Sequence, residues 1–211
     1  MTNLQPLGTM LPDSPASEGE FSGLVATLMQ SRQTVLPKRL GAPGPDAREL
    51  ETILASAGTA PDHGQLLPWR LILVPPSARA RLGDVFSAAL VERDATATLQ
   101  QIAQAREKAH RAPCLLLMTV DALCGDPQID LMERTVSAGC AVQNMLLMAT
   151  ALGFGSALTS GKALKSGHLR TLFGLNEGEH AVCFLSIGTA TASKGHRLRP
   201  QPVDYVRTFS T

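Results

Sequence analysis

The sequence predicts a layered α/β or α+β domain, and three features predict it. Apolar runs of strand length recur between prolines or glycines. Stretches with helical spacing separate them. Neither an internal repeat nor a break in composition divides the chain. Its 211 residues suffice for one domain with a sizeable core, at 44% hydrophobic and 18% charged residues. Aromatics are only 4%, so aliphatic side chains must fill most of that core.

Residues 1–17 are rich in Pro, Ser, Gly and Thr without periodicity and read as a flexible tail, leaving 18–211 as the domain. Leu24, Leu28 and Met29 then recur at helical spacing, giving a helix that ends near Ser31. Residues 35–46 hold three prolines and two glycines and read as a loop. Asp46 is placed to cap the next helix, with Leu50, Ile53, Leu54 and Ala57 on its apolar side and Gly58 at its end. Trp69 to Val74, between Pro68 and Pro75, is a strand. Residues 77–110 form one or two helices. Cys114 to Val120 is continuously apolar, as a strand buried on both faces must be. A long helix over 128–152 precedes a short strand, Phe154 to Leu158. A helix over 163–173 and a buried strand from Ala181 to Ile187 follow, and the tail from His196 reads as extended.

Composition excludes several classes. The net charge is +1 with no basic stripe, so nothing points to nucleic acid. Thr135 to Gly161 lacks charge, but Gln143, Asn144, Thr150 and Gly153-Phe154-Gly155 interrupt it, so a buried helix followed by a strand fits better than a membrane span. The N-terminus lacks the basic and apolar regions of a signal peptide. Cys114, Cys140 and Cys183 sit in apolar runs and Cys124 stands alone; none forms a CxxC pair or metal-ligand spacing. Buried reduced thiols fit a reducing, cytoplasmic compartment. Gly153-Phe154-Gly155 lacks the third glycine and the preceding strand of a dinucleotide fingerprint. No Walker loop, GxSxG elbow or HExxH motif occurs.

Three segments carry chemistry. Arg32-Gln33-Thr34 ends the first helix, where a guanidinium and a hydroxyl two residues apart can reach one phosphate. Ala60-Pro61-Asp62-His63 opens a loop that closes on Pro68-Trp69. Gly153-Phe154-Gly155-Ser156-Ala157-Leu158-Thr159-Ser160-Gly161 offers small residues that let a flat ligand approach the backbone. Taken singly, each also reads as ordinary surface, loop or turn.

In this order and spacing the segments resemble the nitroreductase family of FMN enzymes. Arg32-Gln33-Thr34 is similar to its R-R-S motif, and Ala60-Pro61 with Pro68-Trp69 to its A-P-S-x-x-N-x-Q-P-W loop. Ala60-Pro61-Asp62-His63, Ser137-Ala138-Gly139-Cys140 and Gly153-Phe154-Gly155 resemble a compact A-P-D-H subgroup, and Ile187-Gly188-Thr189 resembles the I-G-x-P ending. The resemblance runs from about Leu24 to Val206. Gln33 departs from an Arg, Leu36 from a basic residue and Leu67 from a Gln.

The resemblance implies a nitroreductase-like α+β fold: a central, mainly antiparallel sheet flanked by helices, and a homodimer formed through long central helices, with the C-terminal segment reaching the partner. It implies FMN at the dimer interface, held by both chains, with NADH or NADPH as co-substrate and a small acceptor such as a nitroaromatic, quinone or enone. Arg32, Gln33 and Thr34 would lie near the phosphate, with Arg197 or Arg199 closing it. Thr59 and His63 would line the site, and Leu158, Thr159 and Ser160 would run along the flavin ring. Hydride transfer between stacked rings needs no side-chain acid or base, so no catalytic residue is assigned. Other flavin chemistry on the same fold, fragmentation or dehalogenation, remains open, as does a flavin-binding protein without nicotinamide-driven activity or a domain with a lost site.

Overall fold

A computed structural model describes residues 18–192 and 198–210. The stretch 1–17, expected to be a tail, lies outside the described residues, as does Arg197. Helix α1 (Glu18–Ser31) ends where the spacing of its leucines predicts. Helix α2 (Ala47–Ala57) starts on the expected cap: Asp46 accepts from the Glu49 N–H, and Glu49 accepts from the Asp46 N–H, both at 2.8 Å. Residues 77–110 divide into α3 (Arg79–Arg93) and α4 (Leu99–Glu107), because Thr98 and Gln101 form a second reciprocal cap. Helix α5 (Leu131–Ala151) begins on Asp130 and ends against Gly153. That residue takes a φ of 84°, and the Phe154 N–H turns back to the Ala149 carbonyl at 2.8 Å.

Five strands form one sheet: β1 (Leu40–Gly41), β2 (Trp69–Leu73), β3 (Cys114–Asp121), β4 (Gly155–Thr159) and β5 (Glu179–Ala190). Every pairing between them is antiparallel. Residues Phe184 to Ile187 of β5 pair with β3 and with β4, so those two strands flank it and the order runs β2-β3-β5-β4. The short β1 extends the end of β5 through Leu40 opposite Ala190.

Three sequence readings need correction. The 35–46 loop contains a 3-10 turn at Pro37–Arg39 and strand β1, and a two-residue strand carries no periodicity to detect. The stretch read as one helix over 163–173 is broken at Ser166, which ends a 3-10 turn (Lys162–Lys165) and caps α6 (Gly167–Phe173). The tail read as extended holds α7 (Pro202–Tyr205), started by a proline whose missing N–H costs a helix nothing there.

Strand alternation divides the core in two. Leu116, Met118 and Leu185 face α2 and α5, where Ile53, Ala138, Ala141 and Met145 are buried. Leu117 and Phe184 face the opposite layer, with Leu82 of α3 and Leu169 of α6. Burial pushes the Cys114 thiol up to about 11 and the Cys183 thiol up to about 12. Cys140, expected to be buried, is half-buried because it lies toward the outer side of α5. On that side Met132 is 76% and Val136 61% exposed, and Gln143 is exposed. Helices α3 and α4 cannot cover this face, since α3 packs on the far side of the sheet and α4 packs against α3. Among the described residues no helix is long and apolar enough to cross a membrane.

Two buried guanidiniums fasten β3. Arg79, pushed below the usual arginine range by burial, donates to the carbonyls of Val74, Ala109, Ala112 and Pro113. Arg134, 1% exposed, donates to those of Asp121, Cys124, Asp126 and Ile129. Replacing Arg134 with Met strips four carbonyls of a charged donor. We expect Arg134→Met to lower unfolding stability by about 3 kcal/mol, read as a lower urea midpoint at unchanged slope.

Candidate functional site

The residues picked out from sequence fall into two groups at opposite edges of the sheet. The first gathers around the end of α1 and the free edge of β4. There Thr34 meets Ser156 in an isolated parallel bridge, and the Val35 N–H donates to the Ser156 carbonyl at 2.9 Å. The backbone at Gly155 is closely approached: a Cβ there would come within 2.9 Å of the Leu40 Cδ2 and 3.1 Å of the Val35 Cγ2, and both side chains would have to shift. This close approach holds Arg32-Gln33-Thr34 beside the strand. The Ser156 hydroxyl is buried without a hydrogen-bond partner.

Arg199 comes back from the C-terminal tail to the same place. Its Nη2 donates to the Arg32 carbonyl at 2.6 Å and to the Gln30 carbonyl at 3.4 Å. These carbonyls lie at the negative end of the α1 dipole, which attracts a cation. Arg199 therefore binds the backbone of Arg32, 167 positions earlier and two residues before Thr34.

Along β4, Thr159 stands opposite Phe184 and Leu158 opposite Leu185. The two therefore point to opposite faces of the sheet, so they do not present one continuous wall. Leu158 is 45% exposed. Thr159 and Ser160 line a cavity of 710 Å³ on the α3 side, walled by Leu36, Phe86, Leu90 and Phe184. The Ser160 hydroxyl donates to the Val182 carbonyl at 3.1 Å.

The second group lies on α5 and in the loop that enters β2 at Trp69, level with Val120 at the end of β3, whereas Ser156 is level with Cys114 at its start. Thr59 accepts a hydrogen bond from Asn144 of α5 at 2.9 Å, and His63 Nδ1 meets Glu133 of α5 at 2.6 Å. The loop between them and β2 is strained: Gln65 and Leu67 take φ of 53° and 48° beside Gly64 at 63°. Asp62 holds the turn by accepting the Leu67 N–H at 2.6 Å. The sequence carries no signal for this role of Asp62, because the local turns that an Asp marks reach two residues on and this bond spans five. Leu67, where the family motif carries Gln, is 63% exposed. Trp69 anchors the loop by donating Nε1–H to Ser137 of α5 at 3.0 Å. No group of His, Cys, Asp and Glu among the described residues could hold a metal ion.

Comparison with known proteins agrees with this geometry. The Nitroreductase family model matches residues 30–189, and the chain belongs to the nitroreductase family, a family of oxidoreductases. A "Putative NAD(P)H nitroreductase" of Haemophilus influenzae is 35% identical over 166 residues, covering 77% of this chain and 86% of its own length. A nitroreductase-like protein of Bacillus cereus shares the fold at TM-score 0.75 and 20% identity, covering 88% of this chain and 95% of its own. A Bacteroides fragilis nitroreductase with bound FMN does so at TM-score 0.66 and 18% identity, covering 88% and 98%.

Trp69 is the only tryptophan in the chain, so its fluorescence reports on the strained loop directly. Ser137→Ala leaves the half-buried Trp69 N–H without its acceptor. The expected outcome is a loss of about 1–3 kcal/mol in stability and a shifted Trp emission maximum. Unchanged emission and stability would mean the bond does not hold the loop.

Proposed function

We propose that the protein is a homodimeric, cytoplasmic FMN-dependent oxidoreductase that passes hydride from NADH or NADPH to a small acceptor such as a nitroaromatic, quinone or enone. The observation that carries this reading is Arg199 seated on the Arg32 carbonyl beside Thr34. It assembles two guanidinium-bearing residues and a hydroxyl where the family motif calls for a phosphate site. Names given to relatives at 35% identity support NAD(P)H as the donor, and the FMN-bound neighbour supports the flavin. The reduced thiols of Cys114 and Cys183 fit a reducing compartment.

Arg32, Thr34 and Arg199 would hold the FMN phosphate, with Gln33 beside them and Arg197, outside the described residues, as a second candidate for closing it. Thr159 and Ser160 would meet the ring edge from the cavity side, and Leu158 would lie along the strand's other face. When bound, FMN supplies the two-electron chemistry, accepting hydride from the nicotinamide and releasing it to the acceptor. For a nitro acceptor, one hydride and one solvent proton yield nitroso and water. Donor and acceptor use one opening in turn, which gives ping-pong kinetics. The protein excludes water and holds the rings in register, and no side-chain base is needed.

A second chain completes the site. Thr34 bridges Ser156 level with the start of β3, whereas the loop after His63 enters β2 level with its end, so a flavin seated at Thr34 would meet Thr59 and His63 from a partner. The bare side of α5 supplies the contact: Met132, Val136 and Gln143 are exposed, and half-buried Cys140 and Leu147 continue the stripe. The C-terminal segment has the same character, with Val203, Tyr205 and Phe209 all exposed. A two-fold packing of α5 on its partner covers both, in the area range above ~2,000 Å² of permanent dimers.

The purified protein should be yellow and bleach on adding NADH or NADPH. A yellow protein that fails to bleach favours another flavin chemistry. Arg32→Ala should weaken FMN binding by about 1.5–3 kcal/mol and leave riboflavin, which lacks the phosphate, nearly unaffected. Equal losses for both ligands would place Arg32 elsewhere. Sedimentation of the flavin-loaded protein should give a dimer at micromolar concentration, and a stable flavin-bound monomer would refute the shared site.

A further inference from the structure

The cavity over the α3 side of the sheet carries more charge than a neutral acceptor needs. Among the described residues four cations line it, Arg93, Lys108, Arg111 and Lys162, and no carboxylate does. The nearby acids of the described residues stand outside the lining. Asp94 follows Arg93, and Glu107 approaches Arg111 no closer than 3.7 Å. Arg93, Lys108 and Lys162 are exposed, while Arg111 is 26% exposed and its Nε is buried without an acceptor. Arg111 thus keeps a buried donor free in the cavity wall.

The remaining walls are apolar. Phe86 and Leu90 come from α3, and Leu115 and Phe184 from the sheet. The cavity thus joins an apolar slot to a cationic rim, in a volume of 710 Å³ that suits a small organic molecule. Leu36 contributes another apolar side chain, and the positive charge is supplied by the end of α3 and the segments after α4 and β4.

We infer that this cavity selects an anionic aromatic acceptor. A carboxylate would be held by Arg111 and Lys108, and its ring would lie against Phe86 and Leu90. The planar fork of a guanidinium matches a carboxylate, and Lys108 adds a point charge. The exposed cations at the mouth raise the local concentration of anions. The inference rests on the reading of Thr159 and Ser160 as the flavin edge, because both line this same cavity.

Calorimetric titration of the flavin-loaded protein with 4-nitrobenzoate and with its neutral counterpart 4-nitrobenzamide measures the preference as binding, independent of turnover. At low salt the carboxylate should bind about tenfold tighter or more, the scale of a charge-assisted hydrogen bond. Lys108→Gln and Arg111→Gln should each cut that ratio severalfold and leave the amide's affinity unchanged. Arg81→Gln, which removes an exposed α3 cation outside the cavity lining, should change neither. Equal affinity for the two probes, or a ratio undiminished in both cavity variants, overturns the inference. The oxidoreductase reading is judged separately, by flavin content and bleaching. If the protein holds no flavin, that reading fails, and titrating the apoprotein with the same probes still decides the anion preference.

Discussion

Strand β3 is fastened at both ends by a buried guanidinium, and the two layers of the fold depend on it. Arg79 gathers the carbonyls of Ala112 and Pro113 before the strand, and Arg134 those of Asp121 and Cys124 at its end and just beyond. Neither arginine makes an ion pair among the described residues. Each is neutralised by carbonyl dipoles that would otherwise be left in a dry interior. An arginine suits this role because its five donors sit in a rigid fork and its charge survives burial. With β3 fixed, Leu116 and Met118 commit one face to α5 and Leu117 commits the other to α3.

The sheet then acts as a partition. On one side α3 and α6 close a core that leaves room for a charged cavity. On the other side α5 is covered by the sheet and α2 along one stripe only. The strained loop that ends at Trp69 is pinned to α5 through Ser137, Glu133 and Asn144, so its shape is coupled to the helix rather than to the cavity. Strain held in this way is the mark of a segment positioned for a purpose beyond its own chain's packing.

Most of the element order was legible in the sequence because long periodic runs carry strong signals. The cap at Asp46 and the break at Gly153 are local chemistry, and they appear where the residues predict. Arg32 and Thr34 are two residues apart in sequence, so their joint placement beside β4 was within reach of reading. The two-residue β1 and the break at Ser166 were not, because neither spans enough residues to show a period. The separation of His63 from Thr34 is set by strand order and register, which no local pattern encodes. The opposite facing of Leu158 and Thr159 follows from alternation along a strand read as ending at Leu158, one residue short of Thr159. Lys108 was read only as part of a helical stretch over 77–110 and Arg111 lay just past it, since the cavity they line forms when distant elements meet.

Strand β5 pairs with β1, β3 and β4, yet it is the last strand to be made. During synthesis β3 lacks one neighbour and β4 lacks its antiparallel partner until residue 190 has left the ribosome. At ~5–20 residues per second, the stretch from the end of β3 takes several seconds to emerge. Through that interval α5 can close on α2 and on the β2–β3 pair, but the open edges of β3 and β4 lack the strand that joins them. The nascent protein is therefore at its most vulnerable to mispairing just before its final tenth is translated. A stop codon placed ahead of β5 would leave β2 and β3 as a lone pair with β4 severed from them, rather than a sheet shortened at its end.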